Sequence, residues 1–232
     1  MRKLAIFVEG QTEQLFLERL VTELANKNDV ILCLQNRRDS PVLLLEGDSG
    51  EVGAERFFVL IYDCQSDGQV KSKVVESAEG LAQQGFFVVL GLQDLYPMDL
   101  SELNLLKAGL SSGIPDVGMR IEMHVAVAEV EAWFLQEGRH FEEIDPRLTC
   151  AHLKAEFGFD PDADSAERVP HPAGMLKSVY NSVNVGYKKR RAEVLRTVGA
   201  LDIENLCAGC QHLIPSFMNF SSAIDSFLSD RA

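Results

Sequence analysis

No run of about 18 apolar residues, the length needed to cross a bilayer, occurs in the chain. The N-terminus also lacks the basic stretch, apolar stretch and small-residue cleavage site of a secretory signal. A soluble, cytoplasmic protein with no membrane contact is therefore expected. Cysteine is sparse: Cys33, Cys64, Cys150, Cys207 and Cys210 form no recognisable disulfide framework, so reduced thiols are the simplest reading. Cys207 and Cys210 have CxxC spacing with His212 two residues on, but no second pair completes a zinc site. Basic residues are few, 22 against 35 acidic, giving a formal charge of −13. That balance argues against a protein that coats nucleic acid by summed electrostatics, but not against an enzyme that meets phosphates through divalent ions. No Ser-His-Asp order is visible, and the string from Gly47 to Gly53 lacks the Gly-Lys-Ser/Thr ending of a phosphate loop. The histidines form no cluster: His124 lies in a strand pattern, and His140, His152, His171 and His212 are scattered.

Of the 232 residues, 46% are hydrophobic, enough for a sizeable core in one large α/β domain or a core with a smaller appendage. Leu4 to Val8 form a continuous apolar run, the pattern of a strand covered on both faces. Phe16, Leu17, Leu20, Val21 and Leu24 then recur at helical spacing. Val30–Leu34 and Val42–Leu45 read as strands around a polar turn, Phe57–Tyr62 as a buried strand, and Val70–Ala82 as an amphipathic helix stopped by Gly85. Phe86–Leu92 is the strongest central-strand candidate, residues 101–110 a short helix, and Ile121–Ala128 a further strand. Alternating strands and helices predict a Rossmann-like, largely parallel sheet covered by helices. From about Asp145 the patterns are helical, so the expected division is an α/β core at 1–144 and a mainly helical extension at 145–232 packed on it.

Three acidic elements fall at strand ends or strand-helix junctions: Glu9, Asp94, and the pair Glu129 and Glu131. Ligands bind at the C-terminal strand edge of open α/β sheets, where a carboxylate can hold a cation or move a proton. Crowded carboxylates are costly unless neutralised, so their convergence would form a Mg²⁺ or Mn²⁺ site. For Glu9 the other reading is a plain turn, with Thr12 capping the helix, Glu13 at its positive end and Gly10 easing the backbone. Asp63 and Asp67 are explained by turn chemistry. Lys188-Lys189-Arg190-Arg191 is either a local phosphate contact or a solvated helix face. Tyr96 and Trp133 invite base stacking, but Trp133 shares an apolar helix face with Val130 and Phe134 and reads as core.

Val8-Glu9-Gly10-Gln11-Thr12-Glu13, Gly91-Leu92-Gln93-Asp94-Leu95-Tyr96-Pro97 and Ala128-Glu129-Val130-Glu131-Ala132-Trp133-Phe134-Leu135 resemble, in order, the motifs of a bacterial Toprim-like family of unknown function. That family is related to the Toprim domains of topoisomerases, primases and OLD-family nucleases. The segment Pro172 to Lys189, with Tyr187-Lys188, is similar to its tail more loosely. The resemblance implies a Toprim-like fold with catalytic work at Glu9, Asp94 and Glu131, and Glu9 as general acid or base. It implies a Mg²⁺ or Mn²⁺ held among Glu9, Asp94, Glu129 and Glu131, and substrate contacts at Gly10, Glu13, Lys188 and Lys189. Toprim enzymes usually end the central strand in Asp-x-Asp; here only Asp94 is present, with Leu92 and Tyr96 two residues to either side, and Glu131 is the candidate substitute. The expected function is a metal-dependent nuclease acting in phage defence or a mobile element, with a protein partner from a defence operon. A catalytically degenerate regulatory subunit and a nucleotide phosphohydrolase are the alternatives.

Overall fold

The computed structural model describes residues 1–25, 30–36, 42–46 (as backbone), 57–66 and 68–229. The Gln35–Ser40 turn lies partly outside these residues, and the Gly47–Gly53 string and Asp67 lie wholly outside. The described elements are β1 (Arg2–Val8), α1 (Gln11–Ala25), β2 (Val30–Asn36), β3 (Val42–Glu46), β4 (Phe57–Asp63), α2 (Val70–Gln83), β5 (Val88–Asp94), α3 (Leu103–Ser111) and β6 (Arg120–Ala126). Six helices follow: α4 (Glu131–Gln136), α5 (His140–Ile144), α6 (Cys150–Phe157), α7 (Pro172–Ser182), α8 (Arg191–Ala200) and α9 (Pro215–Ser229). The chain divides into two compact units, one of residues 1–93, 104–125 and 222–232, the other of 94–103 and 126–221.

In the first unit the sheet runs β3-β2-β4-β1-β5-β6. β1 pairs in parallel with β4 and with β5, β4 with β2, while β3 joins β2 antiparallel as the anticipated hairpin. The fold is thus α/β and Rossmann-like, five parallel strands with one antiparallel edge. Central β1 explains its own sequence: Leu4 to Val8 are all buried because both faces are covered. Ala5 and Phe7 face a cluster with Val70, Val74 and Leu81 of α2, joined by Leu60, Phe86 and Val89. On the other face Arg2 pairs in register with Phe57, whose ring meets Phe227 of α9 edge-on at 5.5 Å. β5 starts two residues later than the apolar run predicts: Gly85 takes a left-handed φ of +77° and the Phe86 amide returns to Leu81 O, so those residues finish the turn after α2. α1 begins at Gln11, which puts Thr12 inside the first turn instead of at its cap.

The second unit is built around α4, whose Ala132, Trp133, Phe134 and Leu135 are all fully buried, the mark of a helix apolar all round. The Trp133 indole N–H donates to Ser216 Oγ at 3.0 Å and its ring packs on Phe217 and Phe220. Gln136 fixes the following loop by donating to Pro161 O and Asp164 O and accepting from the Ala166 amide. Glu137 and His140 are fully buried as well. The Glu137 carboxylate accepts from the amides of Arg139, His140 and Asp202 and from Asn205 Nδ2, while His140 Nδ1 donates to the Glu137 carbonyl and Nε2 lies 3.1 Å from the Tyr180 hydroxyl. Such burial of polar groups is tolerated because each has a partner. The cysteines are all free thiols, and burial first, then Glu137, pushes the Cys210 thiol up to about 12, far from a metal-binding thiolate.

Candidate functional site

Glu9 belongs to the first unit, directly after β1. Its carbonyl accepts from Ser66 and its Oε1 from the Gly68 amide at 2.5 Å, so the carboxylate anchors the loop after β4. Gly68 sits at φ +69°, a conformation that favours glycine there. In the same loop Asp63 Oδ1 accepts from the Gln65 amide; burial raises the Asp63 carboxyl and that amide partly offsets it. Glu13 is buried in the first turn of α1. A Cβ at Gly10 would meet only Glu13 Oε2, at 3.4 Å, so packing does not demand a glycine at that position.

Asp94, Glu129, Glu131 and Lys189 belong to the second unit. Asp94 is the last residue of β5, and the amides of Leu95 and Tyr96 donate to Ala126 O and Ala128 O at 2.9 and 2.8 Å. This lays the second sequence motif along the start of the third. Ala128 then adopts a left-handed φ of +63°, which costs roughly 1–2 kcal/mol for a residue with a Cβ. The kink ends the strand short of the predicted Ala128 and turns Glu129 and Glu131 into the unit, where they are 4% and 0% exposed.

The partners of these two carboxylates come from the C-terminal half. Glu129 Oε2 accepts from His171 Nδ1 at 2.9 Å and from the Ala173 amide in the first turn of α7 at 3.0 Å, and Glu129 Oε1 lies 3.4 Å from Lys189 Nζ. Glu131 Oε1 lies 2.9 Å from the same ammonium and accepts from the Tyr187 hydroxyl at 3.1 Å, while its buried Oε2 makes no hydrogen bond. Lys189, like Ala128, is held at a left-handed φ, +55°. Its side chain stays 41% exposed while its ammonium bridges two buried acids. Strained residues on both sides of one ion-paired cluster are a pattern typical of functional sites. The ring of Tyr96, a residue 46% exposed, stacks on His171 with centroids 5.0 Å apart and planes 15° from parallel.

Of the basic run, only Lys189 enters this cluster. Lys188 is exposed, and its amide, like that of Arg190, donates to Glu193 Oε2 just ahead of α8. Lys188 to Arg190 therefore form a turn leading into α8, of which Arg191 is the first residue, so the run as a whole is not a helix face. Sequence reasoning missed His171 and the hydroxyl of Tyr187. The available signal was a His-Pro pair heading an apolar-periodic helix, Pro172 being at its first position.

Among the described residues no group of three or more His, Cys, Asp or Glu side chains is arranged to hold a metal ion. The donors explain this in the second unit: Lys189, His171, Tyr187 and the Ala173 amide take three of the four oxygens of Glu129 and Glu131. As placed, the pair does not fit the divalent ion that the Toprim-like resemblance implies.

The sequence matches no protein-family model and no curated relative. One solved structure, a protein of Lactobacillus plantarum WCFS1 proposed to be a cell surface hydrolase, is similar with a TM-score of 0.32 and 12% identity, over 60% of this chain and 57% of that one. A likeness that low carries no argument about this chain. No helix among the described residues is long and apolar enough to cross a membrane.

Proposed function

We propose that the chain hydrolyses phosphate esters, as a Toprim-like nuclease or a nucleotide phosphohydrolase, with its working site in the second unit. The observation that carries this reading is the meeting of Tyr96, Glu129, Glu131, His171 and Lys189, residues far apart in sequence, in one strained and ion-paired cluster. Lys189 offers the ammonium of a partly exposed side chain to an anionic oxygen, His171 a proton-exchanging group, and Tyr96 an exposed ring on which a base could stack. The phage-defence or mobile-element setting comes from the family resemblance alone. Whether Mg²⁺ or Mn²⁺ is required is decided by the test of this reading.

That test is turnover of single-stranded and duplex DNA, RNA, mononucleotides and bis(p-nitrophenyl) phosphate, with Mg²⁺, Mn²⁺ or chelator. Lys189→Met should lower turnover about 100-fold or more, the scale of a lost transition-state charge contact, whereas Lys189→Arg keeps the charge and guards against misfolding. Folded Lys189→Met with wild-type turnover would refute the reading. The near-complete engagement of both glutamates by protein groups favours a second reading, a non-catalytic binding subunit, for which no substrate turns over under any ion.

A further inference from the structure

We infer that His171 is the proton acceptor of this site and that Glu129 is its orienting carboxylate; the substrate rests on the phosphoester reading above. An ionised carboxylate can only accept, so the 2.9 Å contact of Glu129 Oε2 with Nδ1 places the imidazole proton on Nδ1 and leaves the neutral ring's lone pair on Nε2. Glu129 is not free to turn away, since Oε2 also takes the Ala173 amide and Oε1 faces Lys189. The ring is fixed as firmly. Tyr96 stacks on it, and it packs over Gly174, where a Cβ would come within 2.5 Å of Cδ2 and 3.1 Å of Nε2. Nε2 has no protein partner among the described residues, and the side chain is 53% exposed. A buried acid fixing the tautomer of a half-exposed ring whose second nitrogen takes no protein partner among the described residues is the division of labour found in general-base pairs.

In the step this geometry supports, a water oxygen bonds to phosphorus and the bond from phosphorus to the leaving alkoxide breaks. The water proton passes to Nε2, the Nδ1 proton stays on the hydrogen bond to Glu129, and the proton on Nε2 is then given to the departing oxygen. Lys189 faces the phosphoryl charge. Gly174 is a positioning residue, because any side chain there displaces the imidazole.

Two readouts test this. Long-range ¹H–¹⁵N correlation spectra of the labelled protein should place the His171 proton on Nδ1 in wild type. Glu129→Gln, whose amide donates as well as accepts, should give a mixture of tautomers. A proton on Nε2 in wild type overturns the inference whatever the hydrolysis assays give. On bis(p-nitrophenyl) phosphate, His171→Ala should lose roughly 100- to 10,000-fold in kcat, with part of the rate restored by added imidazole. Gly174→Ala, a change that ordinarily favours a helix, should show a similar loss with folding intact. A His171→Ala rate equal to wild type overturns the inference and leaves the phosphoester reading standing. A wild type inert towards every phosphate ester overturns the phosphoester reading and the acceptor role with it, while a proton still on Nδ1 supports Glu129 as the orienting carboxylate.

Discussion

At the scale of single residues, the second unit contains two glutamates that use burial differently. Glu129 orients an exposed ring, whereas Glu137 sits in a closed network with His140, Asn205 and backbone amides. Burial by itself raises the Glu137 carboxyl, but the hydrogen bond and charge of His140, then Asn205 and the Asp202 amide, outweigh it and hold the group below its usual value of 4.5. A carboxyl depressed in the folded state contributes stability above its unfolded pKa, and that contribution disappears as pH falls through the folded value. Glu137→Gln should therefore destabilise the protein by about 1–3 kcal/mol at neutral pH, the cost of mismatched buried partners. The gap to wild type should close as the pH is lowered below about 4.5 in denaturant titrations. A gap that stays constant into acid would show that the network holds Glu137 uncharged.

Single elements show what was legible in the sequence. The β1 run and the α1 stripe could be read because their signals are local: unbroken apolar residues for a strand covered on both faces, and 3.6-residue spacing for a helix. The apolar run misplaces the start of β5 because Phe86, apolar and buried, is claimed by the turn after α2, a competition that composition does not reveal. Glu129 and Glu131 were recognised from their motif. The same motif leaves their partners unread: Lys189 is expected only as a substrate contact and His171 not at all, since the two lie 60 and 42 residues further on and meet Glu129 only through tertiary packing. Trp133 reads as core from its apolar helix face, and its full burial in α4 agrees. It is the one tryptophan in the chain, so intrinsic fluorescence reports directly on that helix. Emission should be blue-shifted, resist iodide quenching and ignore added nucleotides until denaturation. Trp133→Ala should cost about 3–5 kcal/mol, as for other buried aromatic truncations. Quenching by a nucleotide in the native protein would return Trp133 to the ligand site.

For the whole molecule, the charge of −13 sets how a polyanion could be met at all. A long-range field of that sign repels nucleic acid, so any binding must come from cations close to the site, and the tertiary structure places one, Lys189, in the cluster, with Lys188, Arg190 and Arg191 beside it in sequence. Each phosphate neutralised on duplex DNA contributes a slope of about −0.9 in log affinity against log salt. Four local cations at most then predict a slope no steeper than about −4, measured by fluorescence anisotropy on a short labelled duplex over a range of NaCl. A steeper slope would require a basic surface elsewhere on the chain. Binding too weak to measure even at low salt, together with turnover of mononucleotides, would assign the site to a small phosphate ester: Lys189 and His171 suffice for a single phosphoryl group, whereas a polymer brings neighbouring phosphates that this acidic surface does not neutralise.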